Sequence, residues 1–191
     1  MCEVVGKVIV DEAQIRQRAK EIGAQITEEF KGEEVIIVGI LKGAVVWMAD
    51  LIKAVDLPVK LDFMVVSSYG ASTKTSGIVK IVKDLDVDIE GKNVIIVEDI
   101  VDSGITLSYL KRYFESRLPK CVKICSLLDK PLGRKVELKA DYVGFKVGNH
   151  FIIGYGLDYD QSYRNLPYIT LTRSEERRVG KECRSRWSPY H

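Results

Sequence analysis

The sequence predicts an α/β domain built on a mostly parallel central sheet flanked by helices. Three observations lead to this fold class: helical and strand patterns alternate along the chain, several strand segments are continuously apolar, and charged or turn residues bound them. Strands that are apolar on both faces are typical of parallel sheets covered by helices. A length of 191 residues accommodates one such domain with a full hydrophobic core.

The helices follow from the spacing of apolar residues. Asp11 opens the first helix, and Gln14 stands three positions later, as in a capping box. Similar stripes predict a second helix over 45–55 and a third over 107–118, which end before prolines. The stripe of the first helix consists of Ile15, Ala19, Ile22, Ile26 and Phe30.

The strands follow from short apolar or alternating runs. The segment EVIIVGIL at 34–41 and the segment VIIV at 94–97 are continuously apolar, as expected of strands covered on both faces. The other predicted strands lie at 59–66, 78–83, 121–128 and 142–147. Since ligands of such sheets bind beyond the carboxyl ends of the strands, the loops after these segments are the candidate sites.

Composition excludes several classes of protein. The 29 basic and 27 acidic residues are nearly balanced, which argues against a nucleic-acid module, and the longest apolar runs are far shorter than the roughly 20 residues of a membrane span. The N-terminus does not resemble a secretory signal. The four cysteines and two histidines form no C-x-x-C pair or ligand spacing, so we expect no structural zinc and a cytoplasmic protein.

The last stretch, residues 173–191, differs from the rest of the chain. It contains six basic and three acidic residues, and it shows neither helical nor strand periodicity. The small positive net charge of the chain, +2, therefore comes from this segment. We interpret 173–191 as a disordered or non-native tail; a basic arm that binds nucleic acid is the less favoured alternative.

The segment 98–106, EDIVDSGIT, carries the strongest chemical signal. Ser103, Gly104 and Thr106 precede or open a helix, where hydroxyls and free N–H groups bind anions. Its three carboxylates would repel a bare phosphate, so a cation or sugar hydroxyls must lie between them. The local pattern leaves an alternative open, in which an N-cap and solvated strand-end charges explain these residues. The carboxylates are those of Glu98, Asp99 and Asp102.

This segment resembles the phosphoribosyl-pyrophosphate motif of the type I phosphoribosyltransferase family, and VEDIVDSGIT is similar to its hypoxanthine-guanine branch. The resemblance implies the fold of that family over residues 1–172, with a small hood subdomain from about 1–10 and 150–172. It departs after Tyr168, and it leaves undecided whether a last hood strand forms. Members of the family commonly form homodimers or homotetramers.

The resemblance implies roles for two further loops. Lys42 and Gly43 lie where the family places its pyrophosphate loop, next to a non-proline cis peptide bond. The polar stretch 67–77 resembles the family's lid, in which Ser68 and Tyr69 close over the sugar and exclude water. Taken alone, these segments are equally compatible with an ordinary strand-to-helix turn and a mobile hairpin.

The resemblance also assigns the acidic residues. Glu98 and Asp99 bind ribose hydroxyls and, with Asp158, are the ligands expected for Mg²⁺. Asp102 lies near N7 of the base as the catalytic general acid or base. The 5-phosphate of the sugar is bound by the loop consisting of Asp102, Ser103, Gly104, Ile105 and Thr106.

Four residues are assigned to the purine and the diphosphate. Lys130 donates to the oxygen on C6 of the purine, Phe151 stacks on the ring, and Ile152 supplies main-chain contacts to the base edge. Arg164 reaches the pyrophosphate. Without the resemblance, Lys130 is compatible with a solvated strand end, and Phe151 with ordinary core packing.

The implied reaction transfers ribose 5-phosphate from phosphoribosyl pyrophosphate to N9 of hypoxanthine or guanine, giving IMP or GMP in purine salvage. The expected partners are these small molecules, with Mg²⁺ as cofactor and without nucleic acid or membrane. Two alternatives remain: a sister transferase that accepts another base, xanthine above all, and a regulator that keeps the fold without catalysis.

Overall fold

A computed structural model describes residues 4–68 and 79–173. These residues form nine strands, three α-helices and one short 3-10 helix at Pro131–Gly133. In chain order the elements are β1 (Val5–Val10), α1 (Glu12–Glu29), β2 (Val35–Leu41), α2 (Val45–Ala54), β3 (Val59–Ser68), β4 (Val79–Lys83), β5 (Asn93–Val101), α3 (Ile105–Glu115), β6 (Cys121–Asp129), β7 (Tyr142–Lys146), β8 (Ile152–Ile153) and β9 (Ile169–Thr172). None of the described helices is long and apolar enough to cross a membrane.

The chain divides into two compact units. One comprises Arg16–Asn149, and the other combines the described residues up to Ile15 with those from His150 onward. The larger unit contains a six-stranded sheet in the order β4-β3-β2-β5-β6-β7. All neighbouring strands are parallel except the edge strand β4, which is antiparallel to β3. The predicted α/β fold with a mostly parallel sheet is confirmed.

The core of the larger unit lies on the faces of this sheet. β2 and β5 are buried along almost their whole length, as their continuous apolar runs predicted. Helix α2 packs on β2 and β5, and α3 packs on β6 through a buried stripe. That stripe consists of Leu107, Leu110 and Phe114. The helices therefore cover a sheet whose carboxyl-end loops stay accessible.

The smaller unit contains a three-stranded antiparallel sheet in the order β1-β9-β8. β9 lies between its two partners, pairing Val8 with Thr170 and Ile152 with Leu171. The last hood strand, which the sequence left undecided, is therefore formed. Thr170 is fully buried, and its hydroxyl group is within hydrogen-bonding distance of the carbonyl oxygens of Gly6 and Lys7.

The predicted capping box is confirmed at the start of α1. The Asp11 N–H donates to Oε1 of Gln14 at 2.9 Å, and the Gln14 N–H donates to Oδ1 of Asp11 at 2.8 Å. The apolar stripe that follows in α1 is buried throughout. Local sequence therefore determines where this helix begins and which side it buries.

One boundary was predicted wrongly. The sequence indicated that a strand ends at Val97, with Glu98 and Asp99 in the following loop. β5 instead continues to Val101, because β6 extends beside it and pairs Glu98 with Ser126 and Val101 with Asp129. The two acids are strand residues, and the loop to α3 contains only residues 102–104.

Candidate active site

The strand order of the larger sheet creates a crevice between β2 and β5. From β2 the chain continues to β3 on one side, whereas β5 continues to β6 on the other. Ligands of open α/β sheets bind beyond the carboxyl ends of the strands at such a switch point. The segments that leave these two strands are Leu41–Gly43 and 102–104, which the sequence analysis had selected separately.

Gly43 brings the segment Leu41–Gly43 into contact with strand β5. An alanine Cβ built at Gly43 would lie 2.6 Å from Cγ of Asp99 and would overlap Oδ2 of the same carboxylate. Asp99 is 8% exposed, so the carboxylate has little room to retreat. The absence of a side chain at Gly43 therefore lets the segment Leu41–Gly43 pass close to the acid of β5. The preceding Leu41–Lys42 peptide bond is cis, as the resemblance implied.

The loop after β5 ends at a left-handed residue. Gly104 caps α3 with a φ of +77°, a conformation that costs glycine no steric strain. The side chain of Ser103 accepts a long hydrogen bond, 3.4 Å, from the N–H of Ile105. The first turn of α3 presents its positive end to this loop.

A cavity of about 260 Å³ opens at this helix end. Its lining combines groups that the sequence analysis had assigned to a sugar phosphate with apolar residues of β2, β3 and β5. The predicted residues that line it are Glu98, Asp102, Ser103, Gly104 and Thr106. One small cavity thus joins Glu98 to the N-terminal end of α3.

Glu98 and Asp99 form an electrostatically strained pair. Burial, and then the neighbouring Asp99 carboxylate, raise the pKa of Glu98 well above its ordinary value. The Glu98 side chain is partly exposed, yet its Oε2 is completely covered and has no hydrogen-bond partner within the described residues. A covered acceptor beside a second acid fits a cation or hydroxyl donors from a ligand.

The structure does not gather the three predicted Mg²⁺ ligands into one ready-made cage. Within residues 4–68 and 79–173, no three His, Cys, Asp or Glu side chains are grouped to hold a metal ion. Glu98 and Asp99 are neighbours in β5, whereas Asp158 belongs to the smaller unit and pairs with Arg164 there. Mg²⁺ commonly uses one or two carboxylates and takes its other ligands from substrate phosphates and water, which the pair in β5 fits.

Lys130 and Asp102 come together at the segment 102–106, which we call the phosphate loop after the role that the resemblance implies. Lys130 follows β6 and is buried, and its Nζ lies 3.9 Å from Oδ2 of Asp102. The Asp102 side chain is 54% exposed. Gly133 lies directly against this carboxylate, since a Cβ at that position would overlap Oδ1. A buried cationic donor therefore lies next to an accessible carboxylate, both held by loops at the same edge of the sheet.

Four predicted residues lie in the smaller unit. Phe151 is 47% exposed and makes an edge-on contact with Tyr159, with 5.8 Å between ring centroids, so core packing does not account for it. Ile152 is buried in β8. Arg164 forms an ion pair with Asp158 at 2.8 Å and donates to the carbonyl oxygen of Gly156 at 2.6 Å.

Of the two predicted lid residues, one lies at the edge of the described residues and the other lies outside them. Ser68 is the last residue of β3, and Tyr69 lies outside the described residues. The tail prediction for residues 173–191 likewise falls outside them, apart from Arg173.

Comparison with known proteins identifies the family. The model of the phosphoribosyl transferase domain matches residues 7–160. The chain belongs to the phosphoribosyltransferase family. The family prediction made from the motif at 98–106 is confirmed.

Relatives of this phosphoribosyltransferase cover nearly all of its described length. It is 54% identical over 169 residues to the hypoxanthine-guanine phosphoribosyltransferase of Bacillus subtilis, covering 88% of this chain and 94% of that protein. A crystal structure of the Bacillus anthracis hypoxanthine-guanine enzyme matches with a TM-score of 0.84 and 49% identity, over 87% of this chain and 98% of that one. A Staphylococcus aureus hypoxanthine phosphoribosyltransferase matches with a TM-score of 0.87 and 45% identity, over 90% and 94% of the two chains.

One charged pair near the site of this phosphoribosyltransferase was not predicted from the sequence. Arg134 and Asp129 form an ion pair, and both side chains are largely buried, at 16% and 14% exposure. Arg134 also donates to the carbonyl oxygen of Asp102 at 3.0 Å. The sequence did contain a hint of this pair, because Arg134 lies four residues after Lys130, in the loop that had been predicted to contact the purine through Lys130.

A larger groove of about 920 Å³ lies between α3 and residues 134–141. It is open to solvent, and its lining mixes basic residues such as Lys111 with acidic ones such as Glu137. Neither the paired acids of β5 nor the phosphate loop lines it. We therefore place the candidate site of this phosphoribosyltransferase at the smaller cavity, where the functional groups converge.

Proposed function

We propose that the protein is a purine-salvage enzyme that transfers 5-phosphoribosyl from phosphoribosyl pyrophosphate to N9 of hypoxanthine and guanine, giving IMP or GMP and pyrophosphate. The observation that carries this proposal is the single cavity in which the acid of β5 and the phosphate loop meet. Two findings support the choice of bases: the chain belongs to the phosphoribosyltransferase family, and relatives that share about half of their residues with it are named hypoxanthine-guanine phosphoribosyltransferases.

The phosphate loop is suited to the 5-phosphate of the sugar. The N-terminal turn of α3 has N–H groups without intrahelical acceptors, and the left-handed Gly104 lets the loop approach an anion closely. The proposed phosphate ligands are the five residues Asp102, Ser103, Gly104, Ile105 and Thr106. Lys42 and Gly43 bind the diphosphate in this proposal, with Gly43 held against Asp99.

Glu98 and Asp99 are proposed to bind the ribose hydroxyls and, together with Asp158, Mg²⁺. The metal, when bound with the substrate, neutralises charge on the leaving pyrophosphate. The covered Oε2 of Glu98 gains a partner when a hydroxyl or cation binds, which removes the cost of an unsatisfied buried acceptor. The acids also stabilise the positive charge that develops at C1 of the ribose.

Lys130 and Asp102 are proposed to recognise and activate the purine. A buried ammonium selects bases with an acceptor on C6, because adenine presents an amino donor there. Asp102 is the proposed general acid or base near N7, and its exposed carboxylate is accessible to a base. From the family pattern, Phe151 and Ile152 contact the purine and Arg164 contacts pyrophosphate.

The remaining parts of the proposal concern organisation. The catalytic domain spans residues 1–172, with a hood from about 1–10 and 150–172, and Ser68 and Tyr69 belong to a lid. The protein acts in the cytoplasm as a homodimer or homotetramer. Two relatives support the proposed extent of the domain, since the match covers 94% of the Bacillus subtilis protein and 98% of the Bacillus anthracis chain.

Turnover with a panel of bases tests the proposed function. The protein is incubated with phosphoribosyl pyrophosphate, Mg²⁺ and hypoxanthine, guanine, xanthine or adenine, and pyrophosphate release is measured. We expect release with hypoxanthine and guanine, and much less with adenine. Release mainly with xanthine would reassign the substrate, and no release with any base would favour a regulator that keeps the fold. A reaction without Mg²⁺ tests the cofactor.

A further inference from the structure

The phosphate loop is attached along one side to the loop that carries Lys130. Three consecutive carbonyl oxygens of residues 101–103 each accept a hydrogen bond from the segment 130–135. Val101 accepts from the Lys130 N–H at 2.9 Å, and Ser103 accepts from the Lys135 N–H at 2.9 Å. The middle carbonyl, that of Asp102, accepts from Nη1 of Arg134 at 3.0 Å. This middle bond is the one of the three that depends on a side chain.

Arg134 is itself held in place. Its Nη2 forms the ion pair with Asp129 at the end of β6, and its stem covers Gly104. A Cβ at Gly104 would lie 3.1 Å from Cδ of Arg134. Both charged side chains are largely buried, so solvent screens their interaction less than that of a surface pair. The guanidinium therefore bridges the end of β6 and the loop between β5 and α3.

The direction of each carbonyl determines the direction of the next N–H group. A trans peptide is planar, so its C=O and N–H bonds point to opposite sides. Within the described residues, the cis peptide bond is confined to Leu41–Lys42, and the peptides of the phosphate loop are trans. When Arg134 binds the Asp102 carbonyl, the Ser103 N–H must point away from the segment 130–135. The 260 Å³ cavity is lined by Ser103 and Gly104, whereas the described residues of 130–135 are not part of its lining.

We propose that Arg134 is a positioning residue that turns the Ser103 N–H toward the phosphate of the sugar substrate. It acts through the Asp102 peptide and does not itself contact the phosphate. This inference rests on the proposed function, because it assumes that the cavity binds the 5-phosphate. This role explains why the charged side chain of Arg134 is largely buried against the loop. The carbonyl groups of Val101 and Ser103 accept hydrogen bonds from backbone N–H groups, and Arg134 supplies the donor for Asp102.

A comparison of the affinities for IMP and inosine tests the role of Arg134 in phosphate binding, because the two ligands differ only in the 5′-phosphate. The variants are Arg134→Ala and Arg134→Lys, with Lys139→Ala as a control that removes one exposed positive charge from the same connection between β6 and β7. Lysine keeps a charge near Asp129, but it lacks the planar fork that binds Asp129 and the Asp102 carbonyl together. Dissociation constants are measured by calorimetry, and folding is checked by circular dichroism and thermal unfolding.

We expect both Arg134 variants to bind IMP about tenfold more weakly, the loss typical of one charge-assisted hydrogen bond, with inosine binding unchanged. Methylguanidinium should restore IMP binding to Arg134→Ala, and Lys139→Ala should behave like the wild type. Equal weakening of IMP and inosine would show a general structural role and overturn the inference. So would unchanged IMP binding in Arg134→Lys. If the wild type releases pyrophosphate with hypoxanthine, a result that overturns the role of Arg134 leaves the proposed function intact. If the wild type is inactive with every base, the proposed function itself is wrong.

Discussion

Substitution of Gly43 by alanine tests the contact between the loop after β2 and the Asp99 carboxylate of β5. The added methyl group would overlap the Asp99 carboxylate, with its Cβ 2.6 Å from Cγ of Asp99. Real Cβ contacts are essentially never shorter than 3.0 Å, so either the carboxylate or the loop must move. Asp99 lies on β5 between two parallel neighbours, β2 and β6, and is 8% exposed. The displacement therefore falls on the groups that are proposed to bind the diphosphate and ribose.

The size of the effect follows from this geometry. One extra methyl group forced into a packed site costs about 1–3 kcal/mol. For a domain of this size, each kcal/mol lowers the melting temperature by about 2–4 °C, so we expect a decrease of about 2–12 °C. A misplacement of about 1 Å in a positioning group reduces turnover by about 100-fold. Activity should therefore fall much further than stability.

The assay compares Gly43→Ala with Asp99→Ser and with the double variant. Thermal unfolding and kcat/KM for phosphoribosyl pyrophosphate are measured for all four proteins. If overlap is the cause, the smaller serine makes room for the methyl group, and the double variant is more stable than the sum of the single effects predicts. Residues in contact show coupling energies of about 0.5–3 kcal/mol.

Two results would refute this reasoning. Strictly additive effects on stability would show that the methyl group does not meet the Asp99 carboxylate. A Gly43→Ala protein with wild-type kcat/KM would show that the contact between Gly43 and Asp99 is irrelevant to the proposed reaction, even if the protein were less stable.

Four further predictions follow from the site and the core. Asp102→Asn should lower the single-turnover rate by about 100-fold, since an amide cannot transfer the proton; an unchanged rate would remove that role. Lys130→Met should lower kcat/KM for hypoxanthine and guanine by about 10- to 100-fold and spare any residual adenine rate, whereas equal loss with every base would contradict the specificity argument. Burial raises the pKa of the Asp62 carboxyl, but three backbone N–H groups that donate to it outweigh burial, so this pKa lies below its ordinary value. The ionised Asp62 therefore stabilises the folded protein at neutral pH, and this contribution is lost as the pH falls below about 4. Urea unfolding should therefore show Asp62→Asn destabilised at pH 7, with a smaller difference from wild type at pH 3; a constant difference would contradict this sign. Burial raises the pKa of the Cys125 thiol to about 12, so peptide mapping after treatment of the native protein with a thiol reagent at pH 8 should find it unmodified.

Most of the elements could be predicted because their signals are local. The Asp11 and Gln14 side chains that cap α1 are three residues apart, and the buried stripe of α1 repeats within single turns. The β5 boundary could not be predicted in this way. Glu98 is charged and follows an apolar run, so a local pattern ends the strand before it. The strand continues because β6 offers hydrogen-bond partners as far as Asp129.

The candidate site divides in the same manner. The residue types of the segment EDIVDSGIT were compatible with a phosphate, hydroxyls and a cation, but also with an N-cap and solvated charges. Its resemblance to the family selected the first interpretation and named the reaction. That Gly43 lies against Asp99, and that Arg134 holds the Asp102 carbonyl, was decided by the tertiary structure. These partners are 32 to 56 residues apart and meet because parallel strands bring their carboxyl ends to one edge of the sheet. The sequence by itself therefore determined which chemical groups the loops carry, and the order of the strands determined which of those groups touch.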